Sequence, residues 1–149
     1  MGIERIGYSV VMLAAGLGIP VLAALNARLG LVLGSAVAAA AVMFAVALGL
    51  TLAVLWAVDD PGRLRMLPNV RPNLYLAGAL IAFYVLSITW VAPRFGVGNA
   101  IFCVLLGQMI AATVIGQFGL FGAMQTPLNG WRCLGLGCMA LGLFLMQLR

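Results

Sequence analysis

The side chains able to do chemistry are few, and they stand where polar groups are unusual. Asn26, Ser35, Thr51, Tyr84, Ser87, Thr89, Asn99, Gln108 and Thr113 each fall inside a long apolar stretch, and no Asp, Glu, Lys or Arg falls in the middle of one. Such a set can hydrogen-bond a solute. It cannot run acid–base or nucleophilic catalysis, because no base stands beside a nucleophile. Histidine is absent, which excludes imidazole metal sites and His-based catalysis together. Cys103, Cys133 and Cys138 are odd in number, lack Cys-x-x-Cys spacing and lie among apolar neighbours. They read as small packing residues, not as a zinc site or a disulfide framework. No catalytic residue, metal site or cofactor is expected, and the chain is not expected to be an enzyme.

Gln108 has the strongest claim among the polar groups, because an amide at mid-span must find a partner or face a cavity. Asn99 precedes it by nine residues, about 180° around a helix, so the two do not line one wall. Asn99 reads as the N-cap of its helix. Tyr84 and Ser87 share a helix face at a spacing of three, and a mid-span tyrosine hydroxyl needs a partner. Asn26, four residues before Gly30, is either the cap of a helix end or a ligand group. Serine and threonine can bond back to the preceding turn and need no further purpose. In Gly16-Leu17-Gly18-Ile19-Pro20 the proline leaves the Gly16 carbonyl without its helical donor and two glycines loosen the same turn. That is either a passive kink or a hinge of the kind transporters place beside their binding sites. The candidate substrate-binding set is therefore Gln108, Tyr84, Asn26 and Ser87, with Gly16, Gly18 and Pro20 as the hinge.

These groups must be positioned inside a bilayer. Of the 149 residues, 65% are hydrophobic and 7% charged, with a mean hydropathy of +1.20. Soluble domains run nearer 45–50% apolar and about 25% charged, and disorder needs the opposite bias. Apolar runs predict five transmembrane helices, over residues 6–27, 31–58, 72–92, 97–120 and 127–148, with no room for a separate soluble domain. Asp59-Asp60-Pro61-Gly62 stops the second helix and Arg71-Pro72 opens the third. Pro93-Arg94-Phe95-Gly96 is a short connection, and Thr126-Pro127 reads as an N-cap with a first-turn proline. The first apolar run outlasts any signal-peptide cleavage point and is expected to remain as a helix. Tyr84 lies about ten residues before the third connection and Gln108 about ten after it, which puts both at one level for antiparallel neighbours. The expected fold is thus all-α: a polytopic transmembrane helix bundle forming a single domain over 1–149, with its termini on opposite sides.

All eight basic residues are arginines, placed at helix ends. That is the usual membrane flank, so lipid is an expected partner and nucleic acid is not. Arg5, Arg63, Arg65, Arg71 and Arg132 fall on the N-terminal side and Arg28, Arg94 and Arg149 on the other, five against three. The count favours a cytoplasmic N-terminus by a margin small enough to permit dual topology, and near-balance suits transporters built from inverted halves. Trp56 and Trp90 read as interface anchors. Small residues recur at helical spacing in Gly34, Ala38, Ala41, Ala45 and Gly49, in Gly135, Cys138 and Gly142, and in Gly107 with Ala111. In lipid, such stripes let helices approach closely.

A set of local motifs also carries a family resemblance. They are Gly16-Leu17-Gly18, Ala23-Ala24-Leu25-Asn26-Ala27-Arg28-Leu29-Gly30, Ala82-Phe83-Tyr84-Val85, Ala92-Pro93-Arg94-Phe95-Gly96, Gly107-Gln108, Phe118-Gly119-Leu120-Phe121-Gly122, and Pro127-Leu128 ahead of Arg132. In this order, over essentially the whole chain, they resemble the YdcZ-like family of small bacterial transporters within the drug/metabolite transporter superfamily. The resemblance implies a five-helix protein of the bacterial inner membrane that works as an antiparallel pair or as half of a fused ten-helix chain, mostly in export. It implies Asn26, Tyr84 and Gln108 as cavity residues, and matches Arg28 and Arg94 to short-loop arginines. The chain departs from its relatives at Leu22, where they often carry glutamine, and at Gly116, where they often carry an acid, which leaves proton coupling to an acid supplied by a partner half, or transport uncoupled. The expected function is a small-solute transporter, an exporter in the family's sense, acting as an antiparallel homodimer or as a heterodimer with an inverted homologous five-helix subunit. The alternative is a non-transporting structural subunit paired with a competent paralogue. The substrate is not legible in the sequence.

Overall fold

Ser35 and Gly34 make the sharpest local decision in the chain. The structure, a computed structural model, describes residues 2–147, with side chains described over 6–145. Helix α1 spans Gly2–Leu33 and α2 spans Ala36–Val58, so two residues separate them. Gly34 takes a left-handed φ of 67°, which glycine adopts without the Cβ clash other residues meet. The Ser35 amide donates to Gly30 O at 3.0 Å and the Gly34 amide to Leu31 O at 3.3 Å, the bond pair that closes a Schellman C-terminus. Ser35 also opens α2, its Oγ accepting from the Ala38 amide at 3.1 Å. One residue thus ends one helix and starts the next. Ser35→Ala is expected to cost about 1 kcal/mol, the usual worth of an N-cap, read as a lower midpoint in detergent unfolding.

The break expected at 27–31 is therefore misplaced. Gly30 is not a terminator: a Cβ there would lie 3.3 Å from Thr89 Cγ2 and 3.5 Å from Ala36 Cα, so its bareness lets three helices meet. Pro20 lies inside α1 without ending it. After α2, residues 59–71 form a polar connection containing a 3-10 segment, Pro61–Asn69. Asp60 Oδ1 accepts from the Gly62 amide at 2.8 Å, Asp59 pairs with Arg63 at 3.2 Å, and the Tyr75 hydroxyl donates to Leu67 O at 2.8 Å. A 3-10 turn, Pro72–Tyr75, leads into α3, Leu76–Phe95. The third helix thus continues through Pro93 instead of stopping at residue 92.

The described chain divides into two compact units, Met1–Phe95 and Gly96–Arg149. In the first, α1, α2 and α3 pack on one another. Its core is Ala23, Asn26 and Ala27 from α1, Ala39 and Ala40 from α2, and Val85, Ile88, Thr89 and Ala92 from α3. Positions 23, 26, 27 and 30, like 85, 88, 89 and 92, recur at the three- and four-residue steps of one helix face. Alanine and glycine dominate because close backbone contact, not hydrophobic exclusion, holds helices together in lipid. The α2 stripe expected at Ala38, Ala41, Ala45 and Gly49 is exposed. Packing within the unit uses Ala39 and Ala40, one step around the helix.

In the second unit α4 spans Val97–Phe118 and α5 spans Gly130–Gln147. Gly96, with φ 91°, occupies the N-cap position of α4, so Asn99 is not the cap. Gly119 ends α4 in the left-handed region at φ 61°, two residues before the expected end. The chain then folds back: the Thr126 amide donates to Gly116 O at 2.8 Å, and the Leu128 amide to Gln117 Oε1. Thr126 is spent on the end of α4, and Asn129 caps α5, its Oδ1 accepting from the Arg132 amide at 2.9 Å. The predicted start at 127 moves accordingly. The predicted end at Leu148 lies outside the described residues, as do Met1 and Arg149.

Among the described residues, four helices are long and apolar enough to cross a membrane: Ile6–Leu33, Ala36–Val58, Pro72–Phe95 and Val97–Phe118. Gly130–Leu145 is a shorter apolar helix.

Candidate functional site

Asn26 is the most deeply buried polar residue of α1, at 4% exposure. It sits between Ala23 and Gly30 on the face that meets α3, and one turn of small residues on each side leaves room for its amide. Its Nδ2 donates to Thr89 Oγ1 at 2.6 Å, and that hydroxyl donates in turn to Val85 O at 2.7 Å. The chain of bonds joins α1 to α3 and stops at Asn26 itself. Its Oδ1 is buried with no hydrogen-bond partner, and so is the Tyr84 hydroxyl. Most buried polar atoms in proteins are satisfied, because an unpaired one costs about 1–3 kcal/mol. Among the described residues these two atoms are the buried side-chain groups left unsatisfied, and both lie in the three-helix unit.

Asn26 also forms the polar part of an apolar groove of about 340 Å³ between α1 and α2, with Leu22, Leu25, Leu29, Val42, Met43 and Val46 around it. Leu22 keeps that wall aliphatic. Asn26 is thus no cap of a helix end: its amide is used inside the helix packing. Tyr84 and Ser87 stand one turn apart on α3, both half-buried, and neither bonds to Asn26. Gln108 belongs to the second unit, midway along α4, with an exposed side chain. The structure brings Asn26 and Thr89 together; the level shared by Tyr84 and Gln108 stays a matter of sequence spacing. Gly16, Gly18 and Pro20 lie within continuous α1 helix, and a Cβ at Gly16 or Gly18 would meet nothing within 4 Å. Neither glycine is required by packing.

Thr89 escaped the sequence reading as a site residue, because a threonine that bonds back to its own helix looks self-sufficient. Its signal was position: Val85, Ile88 and Ala92 share its face. Thr113 and Thr51 do behave as self-satisfied threonines, bonding to Met109 O and Ala47 O. The Arg94 guanidinium lies 4.9 Å from the Trp90 ring centre, in cation–π range.

Long apolar helices of membrane-crossing length, carrying a few hydrogen-bonding side chains, define a polytopic membrane protein. The family model described as "Putative inner membrane exporter, YdcZ" matches residues 7–145, and the chain belongs to that family. It is accordingly a multi-pass inner membrane protein of a transporter family, not of an enzyme family. No curated protein and no solved structure matches the chain.

Proposed function

We propose that the chain is one half of a small-solute exporter, working as an antiparallel dimer of five-helix halves. The observation that carries this reading is Asn26, buried and bonded on one side, with its carbonyl oxygen left for a partner the chain does not contain. Tyr84 presents a second such group, Ser87 lies one turn along, and Gln108 sets an exposed amide at mid-span. In this reading the four residues line a polar cavity near midplane, and the Gly16, Gly18 and Pro20 stretch flexes at its edge. Helix α5 has 18 residues, about 27 Å at 1.5 Å per residue, close to the ~30 Å hydrocarbon core. Counting it as a fifth span makes one transmembrane domain of both units and puts the termini on opposite sides. The exposed Ala38, Ala41, Ala45 and Gly49 stripe then has a use, since small residues suit helix contact better than lipid contact.

Cysteine labelling tests the arrangement. Cys103, Cys133 and Cys138 are all exposed and are first replaced by serine. Met66→Cys then places one thiol in the exposed 59–71 connection. An antiparallel homodimer exposes this thiol on both membrane faces, so an impermeant maleimide should reach about half the chains from outside and the rest after permeabilisation. Labelling from a single face, with no homologous five-helix protein co-purifying, would falsify the antiparallel model. Single-face labelling with such a partner present, and transport that survives only through the partner's cavity residues, would instead establish the structural-subunit alternative.

A further inference from the structure

A groove of about 570 Å³ opens between α4 and α5, wholly inside the second unit. Its walls are apolar, chiefly Met109, Leu136 and Met139, and its polar edge is Thr113, Thr126 and Arg132. The volume falls within the ~300–1,000 Å³ of small-molecule sites. Its charge is what sets it apart. Arg132 stands in the first turn of α5, held there by Asn129, whose carbonyl and side-chain oxygens both accept from the Arg132 amide. The guanidinium Nη1 donates to Thr126 O at 2.9 Å, which ties the exposed side chain to the edge of the groove. Thr126 is itself fixed, by its amide bond to Gly116 O at 2.8 Å and by the bareness of Gly116, where a Cβ would lie 2.5 Å from Thr126 Oγ1.

Among the described residues the one ion pair is Asp59 with Arg63, so the Arg132 guanidinium pairs with none of their acids, and its hydrogen bond goes to a backbone oxygen, Thr126 O. A guanidinium carries five donors in a planar fork that matches a carboxylate or sulfonate, and one bond to Thr126 O leaves the rest of the fork unused. Thr113 has spent its proton on Met109 O and adds no second cation. A charge beside apolar walls is stabilised by a counter-charge brought into the same site, and the first turn of a helix adds a favourable field for an anion. A neutral solute would leave the fork unpaired, and a cation would be repelled.

We propose that this groove binds a small amphipathic organic anion, with a monoanionic head on Arg132 and an apolar body against Met109, Leu136 and Met139. Calling that anion a transported solute rests on the transporter reading above; its binding does not.

The test uses the purified full chain in an uncharged detergent, with naphthalene-2-sulfonate as the probe and 2-methoxynaphthalene as its neutral counterpart. Titration calorimetry and thermal unfolding should show saturable sulfonate binding with a rising Tm, and at least tenfold weaker binding of the neutral compound. Arg132→Gln should weaken the sulfonate at least tenfold and leave the neutral compound unchanged. Arg132→Lys keeps the charge and the tether's donor and should retain part of the affinity. Leu136→Trp fills the groove without touching the charge and should also abolish binding, which covers the case in which Arg132→Gln loosens the fold. Equal sulfonate affinity in Arg132→Gln or in Leu136→Trp overturns the proposal. So does a dioleoyl phosphatidylglycerol titration that displaces the probe and stabilises the protein at lower concentration through Arg132, which would make the groove a lipid site. Binding without flux in proteoliposomes overturns the transporter reading alone, and flux of another solute with no sulfonate binding overturns this inference alone.

Discussion

Gly30→Val is expected to destabilise the first unit by about 2 kcal/mol, the typical cost of forcing extra methyl groups into a packed helix contact. A Cβ at this position already meets Thr89 Cγ2 at 3.3 Å and the Ala36 backbone at 3.5 Å. Valine adds two more carbons in a restricted rotamer, and the Ala36 side of the contact is backbone, which cannot rotate away. The yielding partner is Thr89, and moving it strains the bond from Asn26 Nδ2. Gly30→Ala behaves differently. Its single methyl needs a few tenths of an ångström of give, and replacing glycine in a helix gains about 1 kcal/mol of propensity, so the two effects nearly cancel. Unfolding in mixed detergent micelles, followed by circular dichroism, reads both variants. A valine variant as stable as the native protein would mean that α1, α2 and α3 meet less tightly than the geometry requires.

The elements were legible because long uncharged apolar runs have one stable form in lipid: among the described residues four of the five predicted spans are helices long enough to cross a membrane, and the fifth is a shorter apolar helix. The boundaries were legible only where a local signal acts alone. Asp59-Asp60-Pro61-Gly62 stops α2 as expected, since nothing else competes for those residues. At Gly30 two signals competed, and packing against Thr89 won over termination, which passed to Gly34. Near Thr126 the expected cap is spent on the tertiary bond to Gly116, and Asn129, which the sequence reading did not single out, starts α5 instead. The small-residue stripe of α2 failed for a related reason. Periodicity identifies a smooth face but not which neighbour it meets, and Ala39 and Ala40 are the residues buried. In the candidate site, residue type alone singled out Asn26, whereas its bond to Thr89 depends on how α1 and α3 face each other. Arg132 shows the opposite failure, since by position it reads as one more membrane flank and only the groove between α4 and α5 gives it another use.

Gln108→Leu is expected to cut transport roughly tenfold to a hundredfold, the ~1–3 kcal/mol lost when a polar group of the solute is left without its partner. Gln108 lies at the middle of α4, about 16 Å from either end at 1.5 Å per residue, on an exposed part of the helix. An amide facing hydrocarbon at that depth is unfavourable, and leucine there is favourable. Removing it should therefore leave insertion intact and stability equal or higher, unless the amide works for its place. A bond that merely tied two helices together would be worth about 0.6 kcal/mol by typical membrane measurements, too little to abolish function. The measurement is export in an efflux-deficient bacterium, scored as tolerance across a panel of toxic compounds at matched membrane abundance. Gln108→Asn, one methylene shorter with the same amide, should recover part of the activity, and Tyr84→Phe should lower it through loss of the buried hydroxyl. If Gln108→Leu exports like the native chain and changes only thermal stability, the amide belongs to helix packing and the cavity assigned to Gln108, Tyr84, Asn26 and Ser87 is wrong.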